Sequence, residues 1–149
     1  MQTKRILLVE DSPDDAELTR TGLADSHLPH EIVVTRDGAE ALDYLYARGS
    51  FAGRLSGDPA VIFLDLKLQT VDGREVLRQV KGDPLLHHIP IVVLTGSDAE
   101  HDQLESYHLG ANSYVVKPHD GDQFVALVIH LIRFWTLLNE LSSPTPHQP

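Results

Sequence analysis

Ala60-Val61-Ile62-Phe63-Leu64-Asp65-Leu66-Lys67 is the stretch that decides the fold of this 149-residue chain. It places five apolar residues directly before a single carboxylate, Asp65. A short apolar run rich in Val, Ile and Phe is typical of a strand buried on both faces of a parallel sheet. Open α/β folds bind their ligands beyond the carboxyl ends of such strands. Asp65 is therefore the first candidate for a functional residue.

Four further strand-like runs alternate with stretches of helical periodicity along the chain. These runs are Ile6 to Val9, Glu31 to Thr35, Ile91 to Leu94 and Ser113 to Val116. Five strands that alternate with helices predict an α/β fold with a doubly wound parallel sheet. We expect one domain over residues 1–141 and a flexible tail over residues 142–149, which contain three prolines.

Local signals predict where several helices begin and where one long loop lies. Ser12 precedes Pro13 and is predicted to cap the first helix, and Ser97 is predicted to cap the helix after the fourth strand. The glycine-rich segment from Arg48 to Pro59 is predicted to be a loop, longer than the usual connection of about 4–6 residues.

Composition excludes several classes of function. The chain has no cysteine, so it has neither disulfides nor a zinc-thiolate site. Its formal net charge is −10 and no basic stripe is visible, which argues against nucleic-acid binding. The histidines show no ligand spacing typical of a metal site. The start of the chain does not resemble a signal peptide, and the unbroken apolar runs are too short for a membrane span. We expect a cytoplasmic protein.

Polar residues follow four of the five predicted strands. Glu10-Asp11 follows the first, Asp65 the third, Thr95 the fourth and Lys117 the fifth. Because the carboxyl ends of parallel strands meet at one edge of the sheet, these side chains should share a cleft. Three close carboxylates repel each other, and a hard cation such as Mg²⁺ relieves that repulsion. This set suits phosphoryl transfer to Asp65, with Mg²⁺ and Lys117 neutralising the charge of the transferred group.

The order and spacing of these residues resemble the receiver domain of two-component response regulators. The resemblance covers positions 9–118 and is carried by five motifs: Val9-Glu10-Asp11-Ser12, Leu64-Asp65-Leu66, Asp72-Gly73, Leu94-Thr95-Gly96-Ser97 and Tyr114-Val115-Val116-Lys117-Pro118. It implies a flavodoxin-like fold with strand order 2-1-3-4-5. It also implies a cis peptide bond between Lys117 and Pro118.

The resemblance assigns a role to each matching position. It makes Asp65 the phosphoacceptor, Thr95 the switch hydroxyl, Tyr114 the switch aromatic and Lys117 the invariant lysine. The metal ligands are then Glu10, Asp11 as the direct ligand, Asp65 and the backbone carbonyl of Lys67, with Mn²⁺ as a substitute for Mg²⁺. Tyr114 as a plain core residue is the alternative to its switch role.

Within the family, the chain is most similar to the single-domain regulators of bacterial and cyanobacterial phytochromes. The loop Ser50 to Pro59, the run Asp72 to Leu77 and the pair Phe134-Trp135 carry this narrower likeness. It implies a sensor histidine kinase of the bacteriophytochrome type as the phosphoryl donor, and a signal passed on through protein contacts.

The last predicted helix, from about Gln123 to Leu141, is apolar around most of its circumference. Such a helix must bury a second face. We expect a homodimer through this helix and the fifth strand, with Ile129, Ile132, Phe134 and Trp135 at the interface. Coverage of the second face by the C-terminal tail is the alternative.

Two other functions are compatible with this fold class. A magnesium phosphohydrolase of the aspartyl-phosphate type resembles the site, but it carries a second Asp two residues after the nucleophile, where this chain has Lys67. A flavin carrier needs a phosphate-binding loop after the first strand, where Glu10-Asp11 would repel the phosphate. Both comparisons favour a phosphorylated signalling protein over these alternatives.

Overall fold

Five parallel strands form one sheet in the order β2-β1-β3-β4-β5. The computed structural model describes residues 2–140, and the predicted tail lies outside the described residues. The strands are β1 (Arg5–Val9), β2 (Glu31–Thr35), β3 (Val61–Leu64), β4 (Ile91–Thr95) and β5 (Ser113–Val116). The predicted fold class and strand order are confirmed.

Helices cover both faces of the sheet, as the doubly wound topology requires. They are α1 (Pro13–Ser26), α2 (Gly38–Leu45), α3 (Gly73–Gly82), α4 (Glu100–His108) and α5 (Gly121–Arg133). A single 3₁₀ turn, Gly49–Phe51, lies in the loop between α2 and β3, and a π-helical turn, Phe134–Leu138, continues α5.

Alternate residues of the central strands fill two separate cores. In β3, Ile62 and Leu64 join the core beneath α2 and α3, whereas Val61 and Phe63 join the core beneath α1 and α5. All four side chains are fully buried. A strand buried on both faces accounts for the unbroken apolar run before Asp65, because neither face of the strand meets water.

Short polar side chains begin most of the helices. Ser12 Oγ accepts a hydrogen bond of 3.2 Å from the backbone N–H of Asp15, so its predicted capping role is confirmed. Asp37 and Asp120 cap α2 and α5 in the same way. The prediction for Ser97 is wrong. The residue before α4 is Ala99, and Ser97 Oγ instead donates to Asp102 at 2.6 Å.

The apolar C-terminal helix begins two residues before the predicted start and ends in a π turn at Leu138, three residues before the predicted end. Its inward residues are Phe124, Val128, Ile132 and Trp135, which pack on α1 and the sheet. Ile132 and Trp135 are therefore core residues of the monomer, which leaves little of their surface for the predicted dimer interface. The inward face follows a spacing of four, four and three residues, which leaves Phe134 facing solvent with 46% of its surface exposed.

The segment Gly121–Leu138 has a mean hydropathy of 1.3 over 18 residues, which is long and apolar enough for a membrane-spanning helix by length and composition alone. The core helix of a globular domain meets the same criterion. Here the apolar inner face of the helix packs against Gly22 of α1, which lies directly beneath Val128.

Two arginines order the long loop between α2 and β3. Arg5 donates to the carbonyl oxygens of Leu55, Ser56 and Gly57 at 2.7–3.2 Å. Arg54 donates to the Tyr44 carbonyl at 2.6 Å, and its guanidinium lies over the Tyr44 ring. The predicted loop is confirmed. Several of the backbone carbonyl groups in this region accept hydrogen bonds from arginine side chains instead of from a neighbouring strand.

The two Asp-Gly pairs allow the loop after β3 to pack closely on its neighbours. A β-carbon at Gly73 would overlap the backbone carbonyl oxygen of Asp65, and one at Gly38 would overlap that of Val71. The Gly73 N–H donates to the Leu66 carbonyl at 2.9 Å. The start of α3 therefore presses directly on the backbone that carries Asp65.

We expect Gly73→Ala to lower the free energy of unfolding by about 1–3 kcal/mol, because the added methyl group forces the backbone at Asp65 to move. Urea unfolding measures the change. Gly82→Ala, in the last turn of the same helix with no neighbouring atom within 4 Å, is the matched control and should not destabilise the chain. Equal stability of the two variants would contradict the close packing at Gly73.

A buried histidine precedes β2. His30 is 8% exposed, its Nδ1 accepts from the Lys4 N–H at 3.0 Å, and its Nε2 has no hydrogen-bond partner among residues 2–140. Burial, with the nearby Lys4 ammonium, lowers the pKa of His30 below its usual value of 6.5. The folded state therefore binds fewer protons than the unfolded state once the pH falls below about 6.5.

We expect His30 to contribute stability above pH 6.5 that is lost as the pH falls below that value, because the unfolded chain then gains a proton. His30→Asn keeps an acceptor for the Lys4 N–H and should reduce the loss of unfolding free energy between pH 7.5 and 5.5, values chosen to lie about one pH unit either side of the free imidazole pKa. His27→Asn, at an exposed position, is the control. An unchanged pH dependence in His30→Asn would exclude this role.

Candidate functional site

The carboxyl edge of the sheet brings together the polar residues predicted from the strand ends. Glu10 follows β1, Asp65 follows β3, Thr95 ends β4 and Lys117 follows β5. Their side chains join in one hydrogen-bonded group, because Lys117 contacts both Glu10 and Asp65, and Thr95 contacts Asp65. The predicted cleft at this edge is therefore present in the structure.

Three carboxylates at this edge could hold a cation. Glu10, Asp11 and Asp65 each offer an oxygen atom, and these atoms lie within 4.8 Å of one another. Glu10 is buried, Asp65 is half-buried and Asp11 is exposed. Oxygen ligands with one solvent-facing side suit a hard divalent cation that keeps some of its water. The residues present fit such an ion.

Burial changes the protonation of the deepest carboxylate. It raises the pKa of Glu10 to about 7, although the Lys117 ammonium 2.6 Å away opposes the rise. Glu10 also accepts a hydrogen bond of 3.1 Å from the Ser12 N–H, so it links the metal-binding edge to the start of α1.

Lys117 is the ammonium group at the centre of the site. Its Nζ donates to Glu10 at 2.6 Å, to Asp15 at 2.8 Å and to Asp65 at 3.1 Å, and its side chain is only 9% exposed. Burial alone lowers the pKa of Lys117, but the hydrogen bonds to Asp15 and Glu10 outweigh burial and the net pKa is raised. Lys117 therefore stays charged at neutral pH.

Both oxygens of Asp65 are engaged. Oδ1 accepts from Thr95 Oγ1 at 2.9 Å and from the Lys67 N–H at 3.4 Å, while Oδ2 accepts from Lys117. Thr95 thus already contacts the carboxylate. The side chain of Lys67 is exposed, so it does not fill the position that a second buried acid would take in a phosphohydrolase.

A chain of hydrogen bonds leads away from Asp65 towards α4. Tyr114 donates its hydroxyl to the Ser97 carbonyl at 2.8 Å, two residues after Thr95. Burial raises the pKa of Tyr114, so the phenol stays protonated as a donor. Its ring packs partly buried against the core, a placement compatible both with a plain core residue and with a residue that responds to Thr95.

Arg74 connects this segment to α3. Its guanidinium pairs with Asp72 at 3.2 Å, with Asp102 at 2.5 Å and with Glu105 at 3.3 Å. The carboxylates of α4 with His101 form a second group that could hold a cation, but Arg74 already neutralises two of its three members. The histidines outside this group show no such clustering within residues 2–140.

One expectation from the sequence is wrong at this site, and one site residue was not predicted. The Lys117-Pro118 bond is trans, the intrinsically preferred isomer, and no cis bond occurs within the described part of the chain. Asp15 was not among the predicted site residues, although it follows Asp11 by four positions. That spacing did not identify it, because α1 begins only at Pro13 and Asp11 lies outside the helix.

Comparison with known proteins agrees with the geometry. A family model described as "Response regulator receiver domain" matches residues 6–129. The response regulator Rcp1 of Synechocystis sp. (strain ATCC 27184 / PCC 6803 / Kazusa) is 41% identical over 132 residues, which cover 89% of this chain and 88% of Rcp1.

Solved structures give the same result. The phosphorylated cyanobacterial phytochrome response regulator RcpA is 42% identical with a TM-score of 0.89, and the match covers 95% of this chain and 100% of RcpA. The bacteriophytochrome response regulator AtBRR is 53% identical with a TM-score of 0.74, over 94% and 100% of the two chains. The Mn²⁺-bound form of Rcp1 superposes with a TM-score of 0.86 at 39% identity over 94% of this chain and 99% of Rcp1.

Proposed function

Because the chain belongs to the response regulator receiver domain family, we propose that Asp65 accepts a phosphoryl group from the phosphohistidine of a sensor histidine kinase. The single observation that carries this proposal is the environment of Asp65. Its carboxylate ends the central strand, contacts the hydroxyl of Thr95 and the ammonium of Lys117, and lies beside two further acids.

The transfer exchanges one bond to phosphorus for another. An oxygen of the Asp65 carboxylate attacks the phosphorus, a P–O bond forms, and the P–N bond to the imidazole breaks. The imidazole nitrogen leaves with the electron pair and is neutral once it has bound a proton. Lys117 and Thr95 hold hydrogen-bond donors beside the oxygens of the transferred group, where negative charge accumulates.

A divalent cation completes the site in this proposal. Glu10, Asp11, Asp65 and the backbone carbonyl of Lys67 are the proposed ligands, Mg²⁺ is the expected ion and Mn²⁺ a substitute. The cation would neutralise charge shared between the carboxylates and the phosphoryl oxygens. The support from this chain is the spacing of its three carboxylate oxygens.

Signalling, in which the chain catalyses only its own phosphotransfer and autodephosphorylation, fits these residues better than turnover of a substrate. A phosphohydrolase needs an acid/base residue two positions after the nucleophile, and Lys67 cannot serve as a carboxylic acid there. We propose that phosphorylation adds about −1.5 to −2 charge at Asp65. Thr95 and Tyr114 then shift together, because Tyr114 is hydrogen-bonded to Ser97, and the surface around α4 changes.

Likeness to two kinds of phytochrome regulator supports a narrower proposal. Both RcpA and AtBRR are described as phytochrome response regulators, and each match covers at least 94% of this chain. We therefore propose that the protein is cytoplasmic and that its partner is a sensor kinase of the phytochrome type. Such a kinase would transfer its phosphoryl group to Asp65 in a light-dependent reaction.

Incubation with acetyl phosphate and Mg²⁺ should label the wild-type chain at one site, with the acid-stable and base-labile character of an acyl phosphate. Asp65→Asn should abolish the label, because the amide is not a nucleophile. Asp98→Asn, at an exposed position after β4, is the matched control and should label normally. Label retained in Asp65→Asn would exclude Asp65 as acceptor, and repeated turnover of phosphate esters would favour a phosphohydrolase.

We propose a homodimer through the outer face of the C-terminal helix and the neighbouring edge strand. The exposed large apolar residues there are Val116, Phe134, Leu137 and Leu138. Ile129 is half-buried and can still contribute. Because Ile132 and Trp135 are buried in the monomer, the proposed interface consists of the outward residues alone.

The double variant Phe134→Ser/Leu137→Ser should sediment as a monomer in analytical ultracentrifugation, since it removes apolar area at the centre of the proposed contact. Leu104→Ser, on the exposed face of α4, is the control and should leave the dimer intact. A dimer that survives the double change would place the interface elsewhere, and a monomeric wild type would exclude the dimer.

A further inference from the structure

The first turn of α1 supplies an additional hydrogen-bond acceptor for the Lys117 ammonium. Asp15 Oδ2 accepts from Lys117 Nζ at 2.8 Å, a shorter distance than the 3.1 Å between Nζ and Asp65. The Asp15 backbone is itself held, because its N–H donates to the capping hydroxyl of Ser12 and its carbonyl accepts from Thr19. Asp15 is therefore a fixed anchor and not a mobile surface carboxylate.

We propose that Asp15 is a positioning residue for phosphoryl transfer to Asp65. It anchors the ammonium of Lys117 beside the acceptor, and its negative charge weakens the binding of an anionic phosphoryl donor. This inference rests on the proposed function of Asp65, and it adds a residue outside the strand-end set.

Counting donors explains the anchoring role. An ammonium has three N–H groups, and Glu10, Asp15 and Asp65 use all three. When a phosphoryl group forms on Asp65, Lys117 exchanges its bond to the carboxylate for one to a phosphoryl oxygen. Glu10 and Asp15 keep the other two bonds, so the ammonium turns by a small angle and is not released. Without Asp15, the ammonium of the phosphorylated protein would keep only Glu10 as a fixed partner and could rotate about that one hydrogen bond.

Charge has an opposite effect. With Glu10, Asp11 and Asp65, Asp15 is a fourth carboxylate at this edge of the sheet, and its side chain is 30% exposed. Every donor of a phosphoryl group approaches as an anion, so this carboxylate repels it. Anchoring therefore favours the transfer step, whereas the charge opposes donor binding.

Two substitutions separate the anchoring effect from the charge effect. Asp15→Asn keeps an acceptor oxygen and removes the charge. The half-saturating concentration of acetyl phosphate should fall about threefold or more, with little change in the rate at saturation. Asp15→Ala also removes the anchor, and the rate at saturation should fall about threefold or more relative to Asp15→Asn. Asp14→Asn makes the same charge change at an exposed position of the same turn and is the matched control.

A second measurement uses the metal-free protein. The ¹H–¹⁵N NMR signal of the Lys117 ammonium is visible when hydrogen bonds slow its proton exchange. It should be present in wild type and Asp14→Asn, shifted in Asp15→Asn, and lost in Asp15→Ala. This signal reports on the ammonium itself, and a general loss of stability would not remove it selectively.

The outcomes distinguish this inference from the proposed function. A wild type that labels at Asp65, with Asp15→Asn and Asp15→Ala indistinguishable from it in both kinetic constants, would overturn the role of Asp15. An unchanged ammonium signal in Asp15→Ala would overturn the anchor whatever the kinetics. A wild type that does not label at Asp65 would refute the proposed acceptor instead, and the NMR measurement would still decide whether Asp15 holds Lys117.

Discussion

Charge compensation at the carboxyl edge of the sheet is the constraint on which the rest of this structure depends. Glu10 is buried in an environment that favours its neutral form, and the nearly buried Lys117 is stable as a cation only because carboxylates surround it. Loss of one partner of a buried ion pair is strongly destabilising, because the other charge then stays buried without compensation. The strands must therefore end in register, so that groups distant in sequence, such as Glu10 and Lys117, meet within hydrogen-bonding distance.

The parts of this arrangement that depend on strand ends could be predicted from the sequence. An apolar run that stops at one polar residue marks both a buried strand and its carboxyl end, so Asp65 and Thr95 were recognisable before the fold was known. Asp15 and Arg74 were not, because they lie on helices whose rotation about the sheet is set by tertiary packing. The same limit applied to Ile132 and Trp135, because an apolar helix does not show from its sequence alone which apolar face packs on the sheet.

The two segments that flank Asp65 differ in how firmly they are held. The loop after β3 lies against the backbone at Gly38 and Gly73, with no space for an added methyl group at either position. The helix after β4 buries only Ser106. Displacement at the acceptor should consequently pass through Thr95 towards α4, where few apolar contacts oppose it, and not through α3.

The guanidinium of Arg74 on the firmly held helix α3 forms ion pairs with carboxylates on the loosely held helix α4. Its partners on α4, Asp102 and Glu105, retain 13% and 36% of their side-chain surface, so dissolved ions reach at least one of them. Pairs of this kind weaken as salt rises. The resting position of α4 should thus depend on the ionic strength around the protein. The position of α4 would then vary with the salt concentration as well as with the state of Asp65.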